Sequence, residues 1–161
     1  MSTFRAYLRR SCPTQCLRGY SQGPVGALNQ AILDLNRGTD NGPVFYIHAN
    51  GRFTLDAGTG GVFRALSNKV VGSSDLNAWM HVVVVINSST DPSLWQFYVN
   101  GVNNGVDSSG TGGTYTNPGP AWAIGTIFNS GLFFNGLIDE TRIYNRALSA
   151  GKVNKLYQTG R

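Results

Sequence analysis

The acidic side chains limit the reactions that this 161-residue chain can carry out. It holds eight acidic residues, and Glu140 is the only glutamate among them. Hydrolysis of a glycosidic bond with retention uses two carboxylates about 5–5.5 Å apart. Asp139 directly precedes Glu140, and neighbouring residues of a strand point to opposite faces. We therefore expect no glycosidase activity.

The histidines and cysteines do not form a recognisable site either. Cys12 and Cys16 either close a small disulfide loop in an oxidising compartment or stay reduced, and the sequence leaves both states open. A zinc site would need further Cys or His ligands near them, and the chain has only His48 and His81. No Gly-x-Ser-x-Gly elbow occurs, so a nucleophilic serine is not predicted.

The composition is typical of a single all-β domain. Charged residues make up 13% of the chain, against roughly 25% in ordinary soluble domains. Short apolar runs separated by turn residues predict the strands of a sandwich. These runs cover residues 3–8, 31–35, 44–48, 52–56, 79–86, 94–100, 122–125 and 132–144. Only residues 149–157 have helical periodicity, with Ser149 as the N-cap.

Two Asn-Gly pairs predict tight turns, because both residue types tolerate positive φ. Asn50-Gly51 predicts a two-residue hairpin, and Asn100-Gly101 predicts the turn that ends residues 94–100. The strand over 79–86 contains four consecutive valines, which indicates burial on both faces. His81 is expected to be a hydrogen-bonded core residue packed beside Val83 and Val85.

The net charge of +5 comes from one end of the chain. Arg5, Arg9, Arg10 and Arg18 lie in the first 18 residues without an acid, and the other nine basic residues face eight acids. We therefore divide the chain into an Arg/Cys-rich leading segment, 1–26, with a candidate edge strand at 3–8, and a sandwich over 27–161. The four arginines could contact an acidic partner, but nucleic-acid binding is not expected of the sandwich.

The C-terminal third carries a motif. Residues 134–149, FNGLIDETRIYNRALS, resemble the closing motif of laminin G-like jelly-roll domains, which belong to the concanavalin A-like lectin/glucanase superfamily. Trp79 and His81 resemble the family's Trp-x-His strand, residues 98–101 its Tyr-Val-Asn-Gly hairpin, and residues 123–125 its Ile-Gly strand. The resemblance covers about residues 27–157. It implies a jelly-roll sandwich of two antiparallel sheets with a short C-terminal helix.

Family members usually open with one or two strands before the strand at residues 4–8. An unpaired edge at that place would favour strand addition or a homo-oligomer. The glucanases of the superfamily carry a Glu-x-Asp-x-x-Glu strand that is absent here. Tyr46 and His48 share a strand face and match part of a polysaccharide-lyase set, but the accompanying Arg- and Tyr-rich strands are not found.

The resemblance implies a sandwich that binds a glycan or a protein surface. A sugar site needs an aromatic ring for stacking and polar groups for the hydroxyls. Strand parity and the Trp-x-His motif place Trp79, Trp95 and Trp122 in the core. The candidate ligand contacts are therefore Tyr98 with Gln96 and Tyr115 with Asn117. The alternative is that these residues line a second packed face or a loop.

The resemblance also implies a structural Ca²⁺, held by the oxygen ligands that calcium prefers. Asp139 is the residue that matches, although no cofactor is required. In the alternative interpretation Asp139 and Glu140 are structural, with Glu140 paired to Arg142 or Arg146.

Three hypotheses follow. The first is a non-catalytic carbohydrate- or partner-binding module of a bacterial or phage surface protein, located outside the cell or on a virion or cell surface. The second is a structural or assembly protein that oligomerises through an edge strand. The third is a polysaccharide-active enzyme. Residues 1–12 lack the apolar core of a signal peptide, and no apolar run is long enough for a membrane helix.

Overall fold

The computed structural model describes residues 2–10, 29–35, 42–57, 63–75, 77–109, 122–127 and 132–160. Within them, one α-helix follows a series of β-strands. The elements are β1 (Ser2–Arg10), β2 (Gln30–Leu35), β3 (Val44–Ile47), β4 (Arg52–Ala57), β5 (Phe63–Val70), β6 (Trp79–Ile86), β7 (Gln96–Val99), β8 (Val102–Asn103), β9 (Asp107–Ser109), β10 (Trp122–Ile124), β11 (Gly136–Tyr144) and α1 (Ala150–Thr159). Each predicted strand has its counterpart in this series.

The strands form two antiparallel sheets. Sheet A has the order β11-β1-β6-β7-β8, and sheet B has the order β10-β2-β3-β4-β5-β9. Residues that alternate along the strands fill the space between the sheets, as Phe4 and Leu8 do on β1 and Val82 and Val84 do on β6. The predicted sandwich of two antiparallel sheets with a short C-terminal helix is confirmed.

The position of β1 corrects the predicted edge strand at residues 3–8. β1 lies inside sheet A, where it pairs with β11 on one side and β6 on the other. Its register joins Phe4 to Ile143 and to Val84. The Arg-rich start of the chain therefore contributes an inner strand of the sandwich.

Helix α1 covers the outer face of sheet A. The side chain of Ser149 accepts a hydrogen bond from the backbone N–H of Lys152 (3.4 Å), which confirms the predicted N-cap. Val153 is buried with Leu148 against Val83, Val85 and Tyr98. Sheet A is therefore buried on both faces at β6, as the valine run predicts.

The two Asn-Gly turns differ. Asn100 and Gly101 both have positive φ, 52° and 79°, and close a two-residue hairpin between β7 and β8. At Asn50-Gly51 only Gly51 has positive φ, 82°. Hydrogen bonds from His48 to Arg52 and from Gly51 to His48 make a three-residue loop there. The prediction of a two-residue hairpin at Asn50-Gly51 was wrong.

β5, β8 and β9 are not predicted from the sequence pattern. β5 contains a polar run from Ser67 to Lys69, which lacks the apolar alternation of a strand. It forms because it pairs with β4 along one edge and with β9 along the other. In the part of the chain that the structure describes, no helix has the length and apolar character needed to cross a bilayer.

Candidate functional site: a groove between β10 and β11

A groove of about 640 Å³ opens on one side of the sandwich. It lies between β10, the outer strand of sheet B, and the β1–β11 pair of sheet A. Its floor is the edge of the core, since Phe4 and Leu33 are both buried and line it. The apolar layer between the sheets therefore reaches solvent here, and the volume is within the range of ligand pockets.

The two walls of the groove differ chemically. On the β10 side stand Trp122, 58% exposed, and Ile124, 57% exposed. On the β1–β11 side the lining residues include Ser2 and Thr141, which carry hydroxyls, and Asn145, which carries a carboxamide. Tyr144 and Ile143 complete this second wall. The groove thus offers an aromatic surface opposite neutral hydrogen-bonding groups.

Trp122 was predicted to be a core residue, and that prediction was wrong. The predicted strand face is correct. Trp122 pairs with Leu35 and Ile124 pairs with Leu33, and these residues lie on the face of sheet B that points into the sandwich. However, β10 has three residues and lies at the margin of sheet B. The inward face at this margin opens into the groove, so the indole is exposed.

Trp79 was also predicted to be in the core and is 44% exposed. It is the first residue of β6, and it pairs with Arg9 on the face of sheet A that carries α1. The prediction of a core position at Trp95 is confirmed, because Trp95 is fully buried. Its indole N–H donates to the carbonyl of Ser88 (2.8 Å).

The candidate contacts Tyr98 and Gln96 lie on β7, on the face opposite Phe97. The Tyr98 hydroxyl donates to Oε1 of Gln96 (2.7 Å). Only 2% of Tyr98 is exposed because α1 covers it, and this burial raises the pKa of the phenol. A sugar could stack on this ring only after α1 moved away. A ligand role for Tyr98 and Gln96 stays a prediction, and neither residue lines the groove.

The other candidate contacts, Tyr115 and Asn117, lie outside the described residues, as do Cys12 and Cys16. The groove residues Trp122, Thr141 and Asn145 were missed as site residues. The sequence contained one indication that Trp122 is exposed, because Trp122 belongs to a short apolar run that follows a Gly- and Thr-rich stretch. A strand of this kind is more typical of a sheet margin than of its centre.

Asp139 and Glu140 lie at a β-bulge in β11. Two residues, Glu140 and Thr141, oppose Ala6 there, and Glu140 has a φ of 50°. Oδ1 of Asp139 accepts from the backbone N–H of Glu140 (2.7 Å), and Glu140 pairs with Arg142 (2.6 Å). The predicted pairing of Glu140 with Arg142 is therefore present.

The bulge does not form a calcium shell from carboxylates. Across the described ranges, no three side chains of His, Cys, Asp or Glu stand close enough together to hold a metal ion. The neighbouring carboxylate of Glu140 already pairs with Arg142. Within the described residues, Asp139 is therefore not part of a group of carboxylates that could surround a calcium ion. Calcium binding at Asp139 stays a prediction.

Tyr46 and His48 share the outer face of sheet B, as predicted, with ring centroids 6.2 Å apart. The Tyr46 hydroxyl donates to Oδ2 of Asp56 (2.7 Å), and Arg64 donates to both oxygens of the same carboxylate (2.8 Å each). These hydrogen bonds from Arg64 to Asp56 raise the pKa of the guanidinium. Tyr46 is buried, so it serves a packed polar network rather than an open site.

His81 is buried beside Val83 and Val85, as predicted. Its Nε2 accepts from Nε of Arg5 (3.1 Å), and its ring lies between those of Tyr7 and Tyr157. Nδ1 has no hydrogen-bond partner among the described residues, so the histidine is only half satisfied. Burial, aided by the charge of Arg5, lowers the pKa of His81 to about 4.

Comparison with known families decides the classification of this sandwich. The family model described as "Concanavalin A-like lectin/glucanases superfamily" matches residues 23–154, which is more than half of the chain. The chain belongs to this superfamily. A search of curated proteins finds no match.

Solved structures share the concanavalin A-like fold at low identity. Domain 4 of AbnA, a GH43 extracellular arabinanase from Geobacillus stearothermophilus, in complex with arabinotriose, is 17% identical with a TM-score of 0.64, over 98% of this chain and 66% of that one. The receptor binding domain of botulinum neurotoxin type G is 16% identical with a TM-score of 0.62, over 99% and 38%. The binding domain of botulinum neurotoxin DC, in complex with rat synaptotagmin II, is 13% identical with a TM-score of 0.61, over 99% and 36%. This chain therefore spans only part of each of them.

Proposed function

We propose that this chain is a non-catalytic carbohydrate-binding module, and that the groove between β10 and β11 is its binding site. The observation that carries the proposal is the exposed Trp122 indole opposite Ser2, Thr141 and Asn145. A pyranose ring has an apolar face that stacks on an aromatic ring and an edge of hydroxyls that need donors and acceptors. The two walls of the groove match these two requirements.

The similar structures support a binding role. One of them holds arabinotriose and another holds a synaptotagmin. The described carboxylates support a role without catalysis, because they take part in structural contacts. Asp56, Asp75 and Asp107 pair with Arg64, Lys69 and Arg52, and Glu140 pairs with Arg142. A surface or extracellular location belongs to the same proposal.

Trp122→Ala is expected to lower the affinity for glycans found on a glycan array by about 30-fold. Truncating an aromatic residue in a contact of this kind costs about 2 kcal/mol, which corresponds to that factor. Trp79→Ala is the matched control, because Trp79 is also exposed but lies outside the groove. Titration calorimetry of the three proteins with the best array ligand measures the difference.

The proposal would be contradicted if Trp79→Ala removed binding and Trp122→Ala did not. Release of reducing ends or unsaturated sugars from a bound polysaccharide would contradict the absence of catalysis. Circular dichroism of Trp122→Ala is the control for folding. We expect an unchanged spectrum, because the indole is exposed.

A second candidate function is assembly into a homo-oligomer through β11. This strand of nine residues is the outer strand of sheet A within the described residues, and Leu137 on it is 55% exposed. Such an edge can pair with another chain. Light scattering after size exclusion, over a 100-fold range of protein concentration, is expected to show dimers if this candidate is correct. A monomer over the whole range would refute it.

A further inference from the structure

We infer that the groove selects an uncharged saccharide over an acidic one. This inference rests on the proposed function and concerns the ligand class of the same site. Nine of the described residues line the groove, and none of these nine is Asp, Glu, Lys, Arg or His. The polar residues of the described lining are Ser2 and Thr141, which carry hydroxyls, Asn145, which carries a carboxamide, and Tyr144, whose side chain also packs against the cluster under α1. Neutral groups of these types donate and accept, as sugar hydroxyls do.

The groove has an apolar floor, which makes a charge inside it costly. Phe4 and Leu33 form part of the floor and belong to the main core of the sandwich. A uronic or sialic carboxylate that enters such a place loses water and needs a cation in return. The described lining residues offer no cation, whereas a neutral ring loses little hydration on its apolar face.

The two arginines nearest in sequence to the groove wall do not change this conclusion. Arg142 pairs in register with Arg5, on the outer face of β11, while Ile143 faces the groove beside Phe4. Arg142 is also engaged with Glu140 at 2.6 Å. Arg146 is exposed and follows Asn145 in the turn after β11, outside the lining. If an acidic sugar did bind, Arg146 is the described basic residue that we expect its carboxylate to contact.

The walls also set how the ligand lies. Trp122 and Ile124 come from sheet B, and Thr141 and Asn145 come from the β11 side of sheet A. A ring that stacks on Trp122 turns its opposite face or its edge toward Thr141 and Asn145. Selectivity among neutral sugars then depends on hydroxyls at that edge, and Thr141→Val, which removes one hydroxyl at nearly constant volume, tests it.

The experiment uses matched probes: lactose with sialyllactose, and galactan with polygalacturonate. Titrations are done at 50 and 500 mM NaCl with the wild type and three variants. We expect the neutral member of a pair to bind at least tenfold more tightly, with less than a twofold change between the two salt concentrations. Trp122→Ala should lower that affinity about 30-fold and Thr141→Val about fivefold, whereas Arg146→Gln should change it less than twofold.

Tighter binding of the acidic member, weakened by salt and by Arg146→Gln, would overturn the inference. If that binding still required Trp122, the proposed function would stand while the ligand class would be wrong. Failure of a wider array of neutral and acidic glycans to bind at all would overturn the proposed function itself, and the inference with it.

Discussion

Acidification from pH 7 to pH 4 is expected to destabilise the fold by up to about 3 kcal/mol through His81 alone. The unfolded chain takes up a proton on this imidazole near pH 6.5, whereas the folded chain does so only near pH 4. Between these values the unfolded state holds more protons, so stability falls as the pH falls. The cause is the burial of the ring between Tyr7 and Tyr157, with Arg5 as its hydrogen-bond donor.

Urea unfolding at intervals between pH 4 and pH 7 measures this effect. His81→Gln retains an acceptor for Arg5 but does not titrate, so its stability should fall less steeply over the same range. His48→Gln is the control, because it removes the other histidine and leaves His81 in place. All three proteins contain the same carboxylates, so the difference between the curves reports on His81. Parallel curves for the wild type and His81→Gln would show that the folded state accepts the proton without penalty.

Asp56→Ala is expected to lower the free energy of unfolding by about 3 kcal/mol. The substitution removes the carboxylate that accepts hydrogen bonds from the buried Tyr46 hydroxyl and from two nitrogens of Arg64. The Arg64 side chain is 39% exposed and can turn to water, so most of the cost comes from Tyr46 and from the cavity. Tyr46→Phe combined with Asp56→Ala should therefore recover part of the loss.

Asp107→Ala is the matched control for Asp56→Ala. Asp107 also pairs with an arginine, Arg52, at 2.9 Å, but its side chain is 65% exposed. Arg52 retains hydrogen bonds to the carbonyls of Leu66 and Ser67. The expected loss is below about 1 kcal/mol. Equal losses in the two variants would show that burial does not distinguish the two ion pairs.

Strand positions could be predicted from the sequence where apolar residues alternate or run together, as at Val82–Val85. The resemblance to the family added the architecture of two antiparallel sheets with a C-terminal helix. The polar run of β5 was missed because its strand is stabilised by neighbours on both sides rather than by its own pattern. Local sequence contains no information about such neighbours.

The site was harder to predict than the fold. Parity correctly placed Trp122 on the inward face and Tyr98 on the opposite face of its own sheet. It could not show that the inward face opens to solvent at β10, or that α1 covers Tyr98. The exposure of a residue depends on what packs over its face of the sheet. For Tyr98 the covering element is α1, which is distant from it in sequence.

The pairing of β1 with β11 has a consequence for biosynthesis. Thr3 on β1 aligns with Tyr144, and its hydroxyl accepts from the backbone N–H of Leu148 (3.0 Å). β1 is therefore synthesised more than 120 residues before its partner β11, although its other partner, β6, follows sooner. Contacts so distant in sequence slow folding, and the edge of β1 that pairs with β11 stays unpaired meanwhile. A nascent chain of this protein should depend on chaperones until β11 has emerged.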